Sequence, residues 1–178
     1  MKTSIKVALG GAVAALSLVL MLLTAVIPFG TFAFPVFAGM LLVVIVIELG
    51  YGPAVSVYVV TSVLSYLLVP DKEAMLVYIA FLGYYPIIKS LIERIPNKIV
   101  QYIVKLAVFN AAMIGAYFVA IKLLAFPDDS FKLFGVYLPL VFLLIGNLFF
   151  VLYDFCVTKI VTIYLRQWRH KINKNTKL

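Results

Sequence analysis

Apolar and polar positions divide the chain into six long apolar stretches, at residues 7–28, 33–49, 53–69, 74–92, 99–126 and 133–158. A helix needs about 20 apolar residues to cross about 30 Å of hydrocarbon, so these stretches predict six transmembrane helices. The second and third are short, and "ELGYGP" at residues 48–53 sets Gly50, Gly52 and Pro53 between them as breakers. A pair of short helices is therefore expected there, not one continuous span. Residues 1–165 read as a single six-helix domain and residues 166–178 as a basic tail, with no repeat, low-complexity tract or soluble domain.

Composition agrees on the solvent. With 65% hydrophobic and only 12% charged residues, and a mean hydropathy of +1.15, the chain lacks the polar surface that a soluble globule of this length needs. The 15 Lys and Arg against 7 Asp and Glu point to membrane orientation. They form none of the basic modules with interleaved aromatics that bind nucleic acid. Lys2 and Lys6 precede the first stretch, Lys89, Arg94 and Lys98 fall between the fourth and fifth, and Lys159, Arg166, Arg169, Lys171, Lys174 and Lys177 follow the sixth. Six crossings bring all three groups to one side, which the positive-inside rule makes cytoplasmic. The opposite loops "VPDKEA" and "FPDDSF" are acidic. Both termini are thus expected in the cytoplasm. The basic start and apolar run of "MKTSIKVALGGAVAALSLVLML" also fit a cleaved leader, although five further spans take their orientation from this one.

Charges inside a span cost about 2.5 to 3.5 kcal/mol on insertion scales, so each marks a candidate functional position. Lys105 lies about 9 Å above the inner boundary of the fifth span, and Asp154 about 7.5 Å above Lys159 on the sixth. Opposite charges at matched depth predict a Lys105–Asp154 ion pair. Asn110 and Asn147, nearer mid-membrane, fit either interhelical bonding across the same seam or the floor of a ligand cavity. Lys122 either snorkels to the headgroups or, with Tyr78, Tyr117 and Tyr137, lines an externally open site for a small planar or carboxylated solute. Glu48 is placed at the inner end of the second span, facing Lys89.

In the first span "VALGGAVAALS" sets Ala8, Gly11, Ala12 and Ala15 on one helical face almost without side-chain bulk. Such a strip packs against another helix of the same chain or docks a partner subunit. "IPFGTFAFP", with Phe29, Phe32 and Phe34, reads as a lid over an outer cavity or as a tight turn with interfacial aromatics. In "FLGYYPIIKS" Pro86 cannot donate to the Leu82 carbonyl, and with Gly83 nearby it predicts a kinked hinge. Lys89 in the same motif reads as an orientation signal near the cytoplasmic boundary.

No P-loop, His-Glu-x-x-His, Gly-x-Ser-x-Gly or carboxylate pair within one span is present, so an enzyme is not expected. One cysteine, Cys156, and one histidine, His170 in the polar tail, exclude an internal disulfide and a Cys-rich or His-based metal centre in the membrane. No cofactor is expected.

Fewer than 200 residues, six hydrophobic helices with both ends inside, the "ALGGAVAA" strip, the "PFGTFAFP" loop and the absence of a nucleotide motif together resemble the substrate-binding S component of energy-coupling factor importers. The resemblance is one of architecture. It implies an all-α subunit of the bacterial plasma membrane that captures a vitamin-like solute from outside. It also implies docking through helix one on a transmembrane coupling protein driven by separate ATPases. The docking face would then be Ala8, Gly11, Ala12 and Ala15, the lid residues 28–35, and the ligand site the outer halves of spans four to six. No signature for a particular vitamin is present. The chain is similar in length and span count, too, to the rod-shape determining membrane subunit of bacteria, a scaffold that transports nothing.

Overall fold

The computed structural model describes residues 3–27, 30–122, 132–133, 136–137 and 139–168. The elements are α1 (Thr3–Leu23), α2 (Ala33–Leu49), α3 (Tyr51–Leu68), α4 (Lys72–Val77), α5 (Tyr85–Ile92), α6 (Lys98–Lys122) and α7 (Pro139–Ile163). Between α6 and α7, β1 (Lys132–Leu133) pairs antiparallel with β2 (Val136–Tyr137). Wide π-helical turns cover Tyr78–Leu82 and Tyr164–Trp168. Five helical segments are long and apolar enough to cross a membrane: Thr3–Leu23, Tyr51–Leu68, Lys72–Ile92, Lys98–Lys122 and Leu143–Arg166. The chain is a multi-pass helical membrane protein. α2, the sixth apolar helix, has 17 residues.

Burial is inverted relative to a soluble protein. Val7, Ile99 and Leu148 are 70%, 71% and 73% exposed, whereas Lys89, Lys105 and Asp154 are 2%, 3% and 6% exposed. An apolar exterior around a charged interior suits hydrocarbon as the outer solvent. α2 explains its own shortness by position. It is apolar on every side, burying Pro35, Ala38, Gly39, Leu42, Val43 and Ile45 between its neighbours while leaving Phe37 exposed. One packed cluster joins it to α1, α3 and α5 through Val13, Ala14, Ala54, Val57 and Ile87. A second joins it to α5, α6 and α7 through Phe81, Tyr85, Phe109, Phe150 and Tyr153, where Phe109 and Phe150 stack at 4.9 Å and Phe81 meets both edge-on.

Between α2 and α3 the chain turns at Gly50, whose φ of +85° is open to glycine at little cost. α4 starts at Asp71, whose Oδ1 accepts from the Glu73 and Ala74 amides at 3.1 and 3.0 Å, a capping role for which Asp is favoured. The segment Lys72–Ile92 is one span in two pieces. Its α4 half widens into the π turn at Tyr78–Leu82, a turn follows at Gly83 and Tyr84, and α5 begins with Pro86 in its first turn. The break lies where Gly83 and Pro86 predict it.

Two tyrosines seal the carbonyls at this break. Tyr153 of α7 donates to the Leu82 oxygen at 3.0 Å, in place of the amide proline lacks, and Tyr58 of α3 donates to the Ile79 oxygen at 2.7 Å. Two glycines make room. A Cβ on Gly39 would lie 2.3 Å from the Leu82 oxygen and 2.8 Å from the Tyr153 hydroxyl, and one on Gly83 would lie 2.8 Å from the Tyr58 ring. The break is a bonded, filled joint and not the open hinge that the motif alone suggests.

Candidate functional site

The polar residues of the interior form three layers. The first ties α5, α6 and α7 together around Asp154. Its carboxylate accepts from Lys105 Nζ at 3.0 and 3.3 Å, and from Tyr85 Oη and Lys89 Nζ. Glu93 completes the set, accepting from Lys89 and Lys105 Nζ at 2.8 Å each. Two ammoniums thus face two carboxylates. Such balance matters because an unpaired ion in a medium of low dielectric costs several kcal/mol. Glu93, just beyond the end of α5, is the one member open to solvent, its side chain 39% exposed. Burial raises its carboxyl pKa, but the Lys105 and Lys89 ammoniums outweigh that and hold it below the usual carboxylate range.

Lys105 and Asp154 are therefore joined, as their depths predict, and the pair is part of a larger network. Lys89 does not face Glu48: it is buried in that network, and Glu48 Oε1 instead accepts from the Tyr164 hydroxyl at 3.2 Å. The physical reason is the packing after the break. With α5 starting at Tyr85 after the break, the 89 and 93 positions lie one turn apart on the face that meets α6 and α7.

The second layer is Asn110 and Asn147. Each side-chain amide donates to the other's oxygen, at 2.9 and 3.0 Å. Their remaining N–H groups donate to the Leu106 and Leu143 carbonyls at 2.8 Å. All four amide protons are engaged, which clamps α6 to α7.

The third layer lies toward the Leu68 end of α3. Thr61 and Ser65 are fully buried, Ser62 nearly so, and with Tyr58 they occupy successive turns of one face of α3. The Tyr78 hydroxyl lies beside Thr61, and Tyr78 is fully buried. The Tyr78 hydroxyl interacts with Thr61 and the Tyr58 hydroxyl with Ser62, but these contacts are looser than a hydrogen bond of normal geometry, so the Thr61, Ser62, Ser65 and Tyr78 hydroxyls are left weakly satisfied. Each such group costs about 1 to 3 kcal/mol while it is left unpaired. By contrast the buried hydroxyls of Ser17 and Thr24 donate to the Ala38 and Met21 carbonyls.

Of the other expected solute-binding residues, Tyr117 is half-buried with its ring edge-on to Phe118. Lys122 is exposed, its ammonium 5.9 Å from the Phe118 ring centre. Tyr137 sits in β2 opposite Lys132, and its side chain lies outside the described residues. In the expected lid, Phe32 is exposed and Phe34 half-buried in the first turn of α2, while Phe29 lies outside the described residues. The basic tail beyond Trp168 also lies outside them.

On α1, Ala8, Gly11, Ala12 and Ala15 are exposed, and a Cβ on Gly11 would meet nothing within 4 Å. The helix packs on its own chain through the opposite face, with Gly10 against Val57 and with Val13, Ala14 and Ser17 buried. The small-residue strip is turned outward.

Tyr85, Lys89 and Glu93 are the polar-core residues that sequence reasoning missed. The available signal was the i, i+4 spacing of Lys89 and Glu93 at the end of an apolar run. Among the described residues no three His, Cys, Asp or Glu side chains come together. No family model, curated protein or solved structure matches the chain.

Proposed function

We propose that this chain is the substrate-binding S component of an energy-coupling factor type importer of the bacterial plasma membrane. In this reading it has six spans, α2 included, and both termini are cytoplasmic. The charge network then lies in the inner third of the bilayer and the hydroxyl layer in the outer third. The chain captures a vitamin-like solute from outside and docks through α1 on a coupling protein driven by separate ATPases.

The observation that carries the reading is the group of four buried hydroxyls, Thr61, Ser62, Ser65 and Tyr78, which make no hydrogen bond of normal geometry. A protein that only scaffolds has no use for such a cost, whereas a solute-binding one offers these groups to its ligand. They favour an uncharged polar moiety and move the expected site from spans four to six toward α3 and α4. The outward strip on α1 supports docking, since small residues let a partner helix approach closely.

Mass spectrometry of the purified chain after exposure to a mixture of water-soluble vitamins tests this. A retained small molecule is expected in the wild type and a loss of it in a Ser65→Ala, Tyr78→Phe double variant, which keeps its fold because it deletes only weakly satisfied hydroxyls. Equal loading of the two, or none in either, rejects the assignment.

A second reading, a membrane scaffold resembling the rod-shape determining subunit, is favoured by the mutual saturation of Asn110 and Asn147 and by the outward position of Lys122. Both make the α6–α7 seam a clamp, not a binding wall.

A further inference from the structure

A groove runs along the outside of the bundle between α2 and α7. It is open along its outer side, has a volume of about 290 Å³ and is lined by Phe37, Met40, Phe155, Cys156, Lys159 and Ile160. The spacing explains it. Phe155, Cys156, Lys159 and Ile160 recur at i, i+1, i+4 and i+5 on one face of α7, and Phe37 and Met40 at i and i+3 on α2. Phe37 and Phe155 stand open as the two walls, 54% and 55% exposed, and Met40, 9% exposed, forms the base.

Lys159 is the one charge in this lining. It lies about 10 Å before Arg166, near the end of the span, and its ammonium is 5.2 Å from the Phe155 ring centre. Unlike Lys89 and Lys105, it has no carboxylate partner among the described residues. An apolar trough beside a cation about two turns from the end of the span complements an acyl chain carrying an anionic head. Basic sites between transmembrane helices on the cytoplasmic side bind such head groups.

A partner helix suits the groove less well. Helix–helix faces in membranes are built from small residues, as on the outward side of α1, whereas this face is Phe, Met, Ile and Lys. The volume falls at the lower edge of ligand pockets, about 300 to 1,000 Å³, which fits a length of hydrocarbon chain rather than a whole folded ligand.

We propose that the α2–α7 groove is a binding site for an anionic phospholipid, with one acyl chain between Phe37 and Phe155 and the phosphate on Lys159. The site stands apart from the importer reading, because it uses none of the hydroxyl layer or the α1 strip.

The full chain is reconstituted in nanodiscs of equimolar phosphatidylglycerol and phosphatidylcholine, extracted, and the retained lipid counted by native mass spectrometry. Phosphatidylglycerol is expected in several-fold excess over phosphatidylcholine. Lys159→Gln abolishes the excess, and Cys156→Trp, which fills the trough, lowers retention of both lipids. Lys159 is exposed, so a melting temperature near wild type accompanies Lys159→Gln. Equal retention of the two lipids by the wild type overturns the proposal, as does an excess that survives Lys159→Gln. A dimer crosslinked through Cys156 under mild oxidation also overturns it, by placing a second copy in the groove.

Discussion

Asp154 shows how much one side chain can hold in a membrane interior. It is the acceptor shared by Tyr85, Lys89 and Lys105, so removing its charge strands two ammoniums on the half-exposed Glu93. Breaking a buried ion pair from one side costs about 3 to 5 kcal/mol. Asp154→Asn is therefore expected to lower the melting temperature in detergent by roughly 10 °C. Adding Lys89→Met, which leaves one ammonium for one carboxylate, should recover part of that loss. A melting temperature unchanged in the single variant would show that the network contributes little. At this scale the sequence was legible wherever two residues on consecutive antiparallel helices share a depth. Residue counts alone predict the Lys105–Asp154 pair, and they bring Asn110 and Asn147 to one seam without deciding between an interhelical bond and the floor of a ligand cavity. The partners of Lys89 are not legible in this way, because they depend on how the segment after the break packs on α6 and α7. The same limit applies to Glu48, whose partner Tyr164 is supplied by a wide turn at the far end of α7.

Among the elements, the broken span Lys72–Ile92 carries the most information. Its breakers, Gly83 and Pro86, are visible in the sequence. The groups that complete it come from α2, α3 and α7 and are not adjacent in the chain. Gly39 is the clearest case, a glycine in a helix with nothing locally to mark it. A Cβ there would meet a backbone oxygen and a tyrosine hydroxyl, and neither can withdraw without opening the joint. Gly39→Ala is expected to destabilise the protein by about 1 to 3 kcal/mol, whereas Gly11→Ala, with nothing within 4 Å of the new methyl, should be neutral or slightly stabilising. Thermal unfolding of the two variants side by side decides it, and equal effects would mean that the joint is slack. The length of α2 follows the same logic. Apolar composition marked it as a membrane element, but its packing between α1, α3, α5 and α7 is a tertiary fact.

For the whole molecule, hydropathy alone established a multi-pass helical bundle, and the inverted burial agrees. What pattern did not settle was which faces turn outward. The strip of α1 was open to two readings, inward or outward, because small residues serve equally at either kind of helix contact. Its exposure makes Ala12→Leu informative. In the isolated chain the substitution should leave the melting temperature within about 1 °C, since surface changes rarely exceed about 0.5 kcal/mol. In membranes it should abolish recovery of any subunit that docks there. A lowered melting temperature, or an undiminished yield of a copurifying subunit, would count against an outward docking face.

The shared acceptor also has a consequence in time. Lys89 and Asp154 are separated by 65 residues, and chains are synthesised at about 5 to 20 residues per second. Roughly 3 to 13 s therefore pass between the synthesis of Lys89 and that of Asp154, the counter-ion supplied by α7. The Leu82 carbonyl likewise waits for Tyr153. The first four apolar helices therefore cannot settle into their final packing as they emerge. They must be tolerated by the insertion machinery, or hold Lys89 near the headgroups, until α7 arrives to draw it inward. The last helix acts as the closing member of the bundle, and a chain interrupted before it would carry two ammoniums, Lys89 and Lys105, for the single carboxylate of Glu93.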